Sequence, residues 1–285
     1  MDAYHLGLRL LMRTGGRLSD GIRLGYREGF NSGTMVDYVY RDRAHGITPL
    51  GTLVDRVMLD HPVWRGVRGR RRLLVGQLRE AVARRPCQTL LDVAAGPGSY
   101  LFELPPGGAE YFAVDRDADE RARGQARARE LGREDVRFVG GDAFDPSTWP
   151  LPRFDILVAS GFFDLLVDVA DVRRLLAAGA AGTAPGARWV LTVMEGHTDL
   201  LLLRDVLVDW DRQPWVAVTR SAEAVVAEAE TLGWCAVRIE REPEGLFGVV
   251  TLERVPVAVR GGESSVEEPG GSSQRGENDE EPRDG

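Results

Sequence analysis

The chain has 285 residues, 43% apolar and 28% charged, enough to bury a full core as one domain with appendages. No run of eighteen apolar residues occurs, the start lacks the order of a cleaved signal, and two cysteines and four histidines stand in no ligand spacing, which excludes a membrane span, a disulfide framework and a metal centre and leaves a cytoplasmic protein as the expectation. The net charge of −8 is uneven: residues 1–86 carry sixteen Arg against eight acids, net +8, and residues 261–285 carry eight acids against two Arg, net −6.

Residues 1–30 set Leu8, Leu11 and Met12 beside Arg9, Arg13 and Arg17, which recur every four positions. This is a basic amphipathic helical segment broken at Gly15-Gly16. Two readings of the Arg stripe stand: peripheral contact with an anionic membrane, or a solvated helix face. The stretch "TMVDYVYRDRAHGITPLGTLVDRVML" (34–59) begins with strand-like alternation and ends in a helical pattern at Leu50, Leu53, Val54 and Val57. Residues 65–85 read as a further helix with Leu73, Leu74, Leu78 and Val82 on one side, and its run Arg68, Arg70, Arg71, Arg72 reads as solvent-facing or as a phosphate contact. Residues 1–86 therefore form a helical cap.

From Thr89 the pattern changes to strands alternating with helices, which predicts an α/β fold, Rossmann-like, with a mostly parallel sheet covered on both faces. Strands are expected at 90–93, 110–116, 136–142, 154–160 and 188–194, with helices at 117–132 and 171–181 between them and a turn at Pro185-Gly186. Two helical stretches follow at 198–210 and 221–232. "CAVRIERE" and "FGVVTLER" close the fold as two strands at hairpin distance. This α/β domain runs over 87–258. Residues 259–285, rich in Gly, Ser, Glu and Pro, read as a disordered acidic tail.

The chemistry concentrates at "TLLDVAAGPGSYLFEL" (89–104). An apolar strand runs into Gly96-Pro97-Gly98, where a ligand can approach the backbone, and a short helix follows that Ser99 is placed to cap. Asp115 ends the second strand 23 residues after Asp92 ends the first, a position from which a carboxylate can accept from ribose hydroxyls. A nicotinamide fingerprint would want a third Gly where Leu101 stands. In "GGDAFD", Asp142 ends the third strand and can accept from an adenine amino group, with the Ala143 amide and Phe144 ring at the base's edge and face.

"LDVAAGPGS", "AVDR" and "GGDAFD", in this order and at these distances, resemble the class I S-adenosylmethionine-dependent methyltransferases over about residues 87–254. That resemblance implies a seven-stranded sheet ending in an antiparallel hairpin, and S-adenosyl-L-methionine as cofactor. The cofactor-binding residues it implies are Asp92, Ala94, Ala95, Gly96, Pro97, Gly98, Asp115, Arg116, Asp142, Ala143, Phe144 and Ser160. Ala94 departs from the Gly that many members have first in the turn. "VDYVYRDRAHG" (36–46), "WRGVRGRR" (64–71) and "DRQPWVAVTRSAEAV" (211–225) are similar to segments of a bacterial methyltransferase family whose members also occur joined to an alpha/beta-hydrolase domain, although no G-x-S-x-G elbow is present here.

The acceptor side is less defined. His197, after the fifth strand in "MEGHTD", is the candidate general base, or a surface residue at a helix start. Tyr38, Tyr40, Arg41 and Arg43 are placed to close over the cofactor or to serve the cap, and Phe162 and Phe163 to line a pocket or to fill the core. "SGFFDLL" lacks the Asn/Asp-Pro-Pro-aromatic element of enzymes that methylate nucleic-acid amines, which with the acidic net charge disfavours nucleic acid. A transferase acting on a small-molecule or lipid-like acceptor is the first reading, a catalytically inactive cofactor-binding scaffold the second and a nicotinamide oxidoreductase the third.

Overall fold

A computed structural model describes residues 3–86, 88–196 and 200–256, so the expected tail at 259–285 lies outside the described residues. Five helices come first: α1 (Ala3–Arg13), α2 (Asp20–Glu28), α3 (Gly33–Arg41), α4 (Pro49–Leu59) and α5 (Pro62–Ala83). Ser19, Ser32 and Thr48 start α2, α3 and α4 by accepting from the amides of Ile22, Met35 and Gly51. Pro62 opens α5, where its missing N–H leaves no bond unmade. A buried carboxylate ties these helices together. Asp55 accepts from the Ser19 hydroxyl at 2.5 Å, the Gly21 amide at 2.8 Å, the His45 amide at 2.9 Å and the Tyr38 hydroxyl.

Strands and helices then alternate as β1 (Gln88–Val93), β2 (Ala109–Asp115), α6 (Ala118–Glu130), β3 (Val136–Gly140), β4 (Phe154–Ala159), α7 (Val169–Ala181), β5 (Thr183–Met194), α8 (Leu200–Val206), α9 (Ala222–Glu230), β6 (Trp234–Arg241) and β7 (Phe247–Arg254). The sheet order is β3-β2-β1-β4-β5-β7-β6. Pairing is parallel through β5, and β7 runs antiparallel to both β5 and β6. The order reverses between β1 and β4, which is the point where open α/β sheets leave a crevice at the strands' carboxyl ends. One face packs Leu74, Leu78 and Val82 of α5 on Leu90, Val158 and Val190, and the other packs α7 and α9 on Trp189 and Trp234. No helix among the described residues is long and apolar enough to cross a membrane.

Several expectations need correction. Residues 34–41 form α3 and not a strand, because Met35 and Val39, one helical turn apart, are the residues buried. In α4 the expected apolar stripe faces outward: Leu50, Leu53 and Val57 are exposed, and the helix packs through Gly51, Asp55 and Leu59. The first helix stops at Arg13, so Arg17 falls in a separate 3-10 turn at Gly15–Leu18 and the Arg stripe is interrupted. Pro185-Gly186 does not end an element; it lies inside β5, with Gly186 at φ 84° and the register against β4 shifting nearby.

Helix α7 lies close on the sheet at Gly179, where an added Cβ would stand 2.2 Å from Cζ3 of the fully buried Trp189. Gly179→Ala is therefore expected to destabilise by about 1–3 kcal/mol, the range for overpacking a filled core. Urea unfolding would read the loss, and an unshifted midpoint would show that α7 can back away from the sheet.

Candidate functional site

The turn after β1 is built from alternate left-handed residues: Ala94, Gly96 and Gly98 have φ of 54°, 55° and 58°. For Ala94 this costs on the order of 1 kcal/mol that a glycine would not incur. Asp115, at the end of β2, holds the turn from outside. Its Oδ2 accepts from the Gly96 amide at 2.7 Å and its Oδ1 from the Asp117 amide at 2.8 Å. A carboxylate has about four lone-pair sites, so roughly two remain for a ligand. Ser99 is not a cap: a 3-10 turn at Ser99–Glu103 begins from Gly98 without any side-chain hydrogen bond.

Beneath the turn lies a fully buried acid. Asp92 Oδ2 accepts from the Tyr100 hydroxyl, and Oδ1 has no partner. Burial, with Asp115's charge adding to it and the Tyr100 hydrogen bond opposing, raises the Asp92 pKa from 3.8 to about 8. The side chain is thus a neutral acid at pH 7. It supports the floor through Tyr100 and does not line the cavity above.

That cavity, of about 1000 Å³, runs from the turn across the carboxyl ends of the strands. Residues 94–98, Asp115, Arg116, Asp142, Ala143, Phe144 and Ser160 all line it. Asp142 Oδ1 accepts from the Phe144 amide at 2.9 Å, and its backbone carbonyl accepts from Trp149 Nε1 at 2.9 Å, so the loop after β3 is fixed from within. The Phe144 and Phe162 rings stand 5.6 Å apart, with the Arg174 guanidinium 4.9 Å from Phe144. Helix α3 closes the nearer end. A Cβ on Gly33 would meet Pro97 Cδ at 2.5 Å, and Glu120 of α6 accepts from the Thr34 amide at 3.2 Å.

Of the residues expected at the acceptor side, Tyr40 and Phe162 line this cavity. Tyr38 does not: its hydroxyl is turned to Asp55, and with Arg41 and Arg43 it borders a separate cleft against α6. Phe163 is core, 1% exposed and 6.1 Å from the Trp189 ring. His197 lies outside the described residues. The far end of the cavity is instead formed by residues the sequence did not single out: Phe30, Trp64, Val67, Asp164, Met194 and Trp215. Arg70, read as solvent-facing or as a phosphate contact, is 4% exposed and paired with Asp164 at 3.3 Å. The signal available was the spacing of Trp64, Val67 and Arg70 along one face of α5.

Residues 1–254 match a family described as "Putative methyltransferase". "Uncharacterized protein YnbC" of Escherichia coli (strain K12) is 31% identical over 273 residues, 91% of this chain and 45% of that protein, so the chain spans under half the length of this curated relative. Among solved structures, magnesium protoporphyrin IX methyltransferase from Synechocystis PCC 6803 with bound S-adenosylhomocysteine has a TM-score of 0.57 at 15% identity, covering 80% of this chain and 97% of that one. Burkholderia thailandensis 1,6-didemethyltoxoflavin-N1-methyltransferase, with its namesake ligand and S-adenosylhomocysteine, has a TM-score of 0.52 at 20% identity, covering 66% and 79%. These likenesses establish the fold.

The buried acid makes stability fall with pH. Between the unfolded value of 3.8 and the folded value of about 8 the fold keeps a proton that the unfolded chain releases. Asp92 therefore opposes folding increasingly as pH rises through that window, by at most about 1.4 kcal/mol per pH unit, and its effect levels off above it. Asp92→Asn mimics the neutral acid and should gain stability over the parent as pH goes from 5 to 8. Parallel unfolding curves at the two pH values check this, and a difference independent of pH would place an ionised Asp92 in the fold.

Proposed function

We propose, since the chain belongs to the "Putative methyltransferase" family, that it binds S-adenosyl-L-methionine over the 94–98 turn and methylates a small-molecule or lipid-like acceptor in the far end of the same cavity. The observation that carries this reading is the continuity of one cavity from a bare, left-handed backbone floor to a wall that includes Trp64 and Trp215. Its volume is at the upper end for small-ligand sites, which suits two molecules side by side.

The residues fit the cofactor. A ribose takes the spare lone pairs of Asp115, the adenine takes the Ala143 edge against the Phe144 ring, and the amino-acid portion rests on Ala94 to Gly98. The bound cofactor supplies a methyl group already activated on a sulfonium. What remains for the protein is to align the acceptor, exclude water and receive a proton where the acceptor loses one. Helix α3, seated on Pro97 and tied to Glu120, borders the cofactor end.

S-adenosylhomocysteine is expected to bind and raise the melting temperature, and NAD is not. In calorimetry Asp115→Ala should weaken S-adenosylhomocysteine binding by about 1.5–3 kcal/mol, the scale for hydrogen bonds to a charged group. Unchanged affinity removes Asp115 from the site. A chain that binds S-adenosylhomocysteine and transfers no labelled methyl group to any of a broad acceptor panel would favour the inactive scaffold.

The cap also offers a surface suited to anionic lipid. Leu8 and Met12 pack inward, whereas Leu6, Leu10 and Leu11 of α1 and Leu50, Leu53 and Val57 of α4 are 55–67% exposed, on two helices that both pack against the Gly15–Leu18 turn. Arg9, Arg17 and Arg43 have no ion pair among the described residues and supply the charge complementary to phosphate headgroups. Co-sedimentation with vesicles containing phosphatidylglycerol, lost at high salt and absent with phosphatidylcholine alone, is the expected result. Equal indifference to both would leave these leucines to another occupant.

A further inference from the structure

The far end of the cavity has one ion pair, Arg70 with Asp164, among apolar side chains. Trp64, Val67 and Arg70 project from one face of α5, and the Trp215 ring stacks 6.4 Å from Trp64 at an interplanar angle of 20°. The Phe247 ring lies 4.9 Å from the Arg70 guanidinium. Arg70 carries five N–H donors and is always charged. Its Nη1 donates to Asp164 Oδ2 at a long 3.3 Å, Tyr40 is a second hydrogen-bonding partner, and Nε has none. Asp164 is already engaged on its other oxygen by the Met194 amide at 2.6 Å. A buried guanidinium this poorly satisfied, in the wall of a cavity, is built to receive an acceptor-only group.

Its position favours the methyl acceptor over the cofactor as the source of that group. A Cβ on Gly161 would meet Arg70 Nη1 at 3.2 Å, so the guanidinium stands over the end of β4. Of its other neighbours, Asp164 and Phe247 follow β4 and begin β7, Tyr40 lies near the end of α3, and Tyr100 alone belongs to the segment after the glycine turn. Arg70 is already paired with Asp164, so a carboxylate adds one buried charge and a phosphate dianion two, which favours the monoanion.

We propose that the acceptor is a carboxylic acid with an aromatic or apolar body, its carboxylate on Arg70 and Tyr40 and its body against Trp64 and Trp215. This rests on the transferase reading above and names the substrate class of that site.

The test uses the chain both loaded with S-adenosylhomocysteine and unloaded, titrated by calorimetry and tryptophan fluorescence with 3-phenylpropionate and 2-naphthoate and with the primary amide of each. At least one acid is expected to bind about tenfold tighter than its amide, the scale of one charge-assisted hydrogen bond. The double variant Arg70→Gln, Asp164→Asn removes both buried charges together; it should abolish that preference and keep S-adenosylhomocysteine affinity within about threefold of the parent. Arg70→Lys, which keeps the charge, guards against a double variant that does not fold and should retain part of the preference. Equal binding of acid and amide, or binding of neither, overturns the proposal. So does a double variant that loses S-adenosylhomocysteine yet still binds 5′-methylthioadenosine, which lacks the amino-acid carboxylate, because Arg70 would then serve the cofactor. Failure of S-adenosylhomocysteine to bind the parent would sink the transferase reading alone, since the acid and amide comparison on the unloaded chain still decides this one.

Discussion

The bond from the Gly96 amide to the Asp115 carboxylate, 2.7 Å long, joins the end of one strand to the turn after its neighbour. Alternating left-handed residues at 94, 96 and 98 leave a chain with few contacts of its own, since side chains that would pack are missing from the positions that must stay bare. The fixing groups therefore come from outside the turn. Asp115 holds it laterally, Tyr100 and the neutral Asp92 hold it from below, and Gly33 of α3 presses on Pro97 from above. The Asp115 bond exists because β1 and β2 are adjacent and parallel, so that Val93 pairs with Val114 and the two carboxyl ends arrive at one level.

This arrangement explains why the cap is inseparable from the site. Helix α3 brings Tyr40 to the cavity wall, and Gly33 is the position in it where a side chain would drive it off Pro97. Glu120, 7% exposed and with a pKa raised by burial that Thr34 and Arg123 oppose, fixes the same helix to α6. A partly desolvated carboxylate is an expensive fastening, tolerable because Thr34 offers it both an amide and a hydroxyl and Arg123 a charge.

The fold was legible because its signals are local. Five apolar strand runs, each bounded by turn residues, and a terminal pair at hairpin distance specify the sheet almost without tertiary information. The cofactor side was legible for the same reason: Gly96, Asp115 and Asp142 each lie at or just after a strand end, and strand ends in a parallel sheet converge by construction. Errors arose where two periods compete. In 34–41 the alternation of Val36, Tyr38 and Tyr40 imitates a strand, while the residues actually buried, Met35 and Val39, carry the helical period. At 185–186 a proline and a glycine read as punctuation, yet a bulge absorbs both inside β5.

The acceptor side was not legible, and the reason lies in how its residues are brought together. Trp64 and Trp215 are 151 positions apart and Arg70 and Asp164 are 94 apart, so no local pattern contains either pair. Composition also misleads there. In a run of Arg68, Arg70, Arg71 and Arg72 charge argues for solvent, and for Arg72 it argues correctly. Helical geometry turns each successive residue by about 100°, so only one of the run faces the sheet, and it is the one three residues beyond Val67 and six beyond Trp64. Position on the helix outweighs residue type at Arg70 because Asp164 waits opposite to share the cost of burial. Reading such a residue from sequence would require treating an arginine as a member of an apolar face whenever the period demands it.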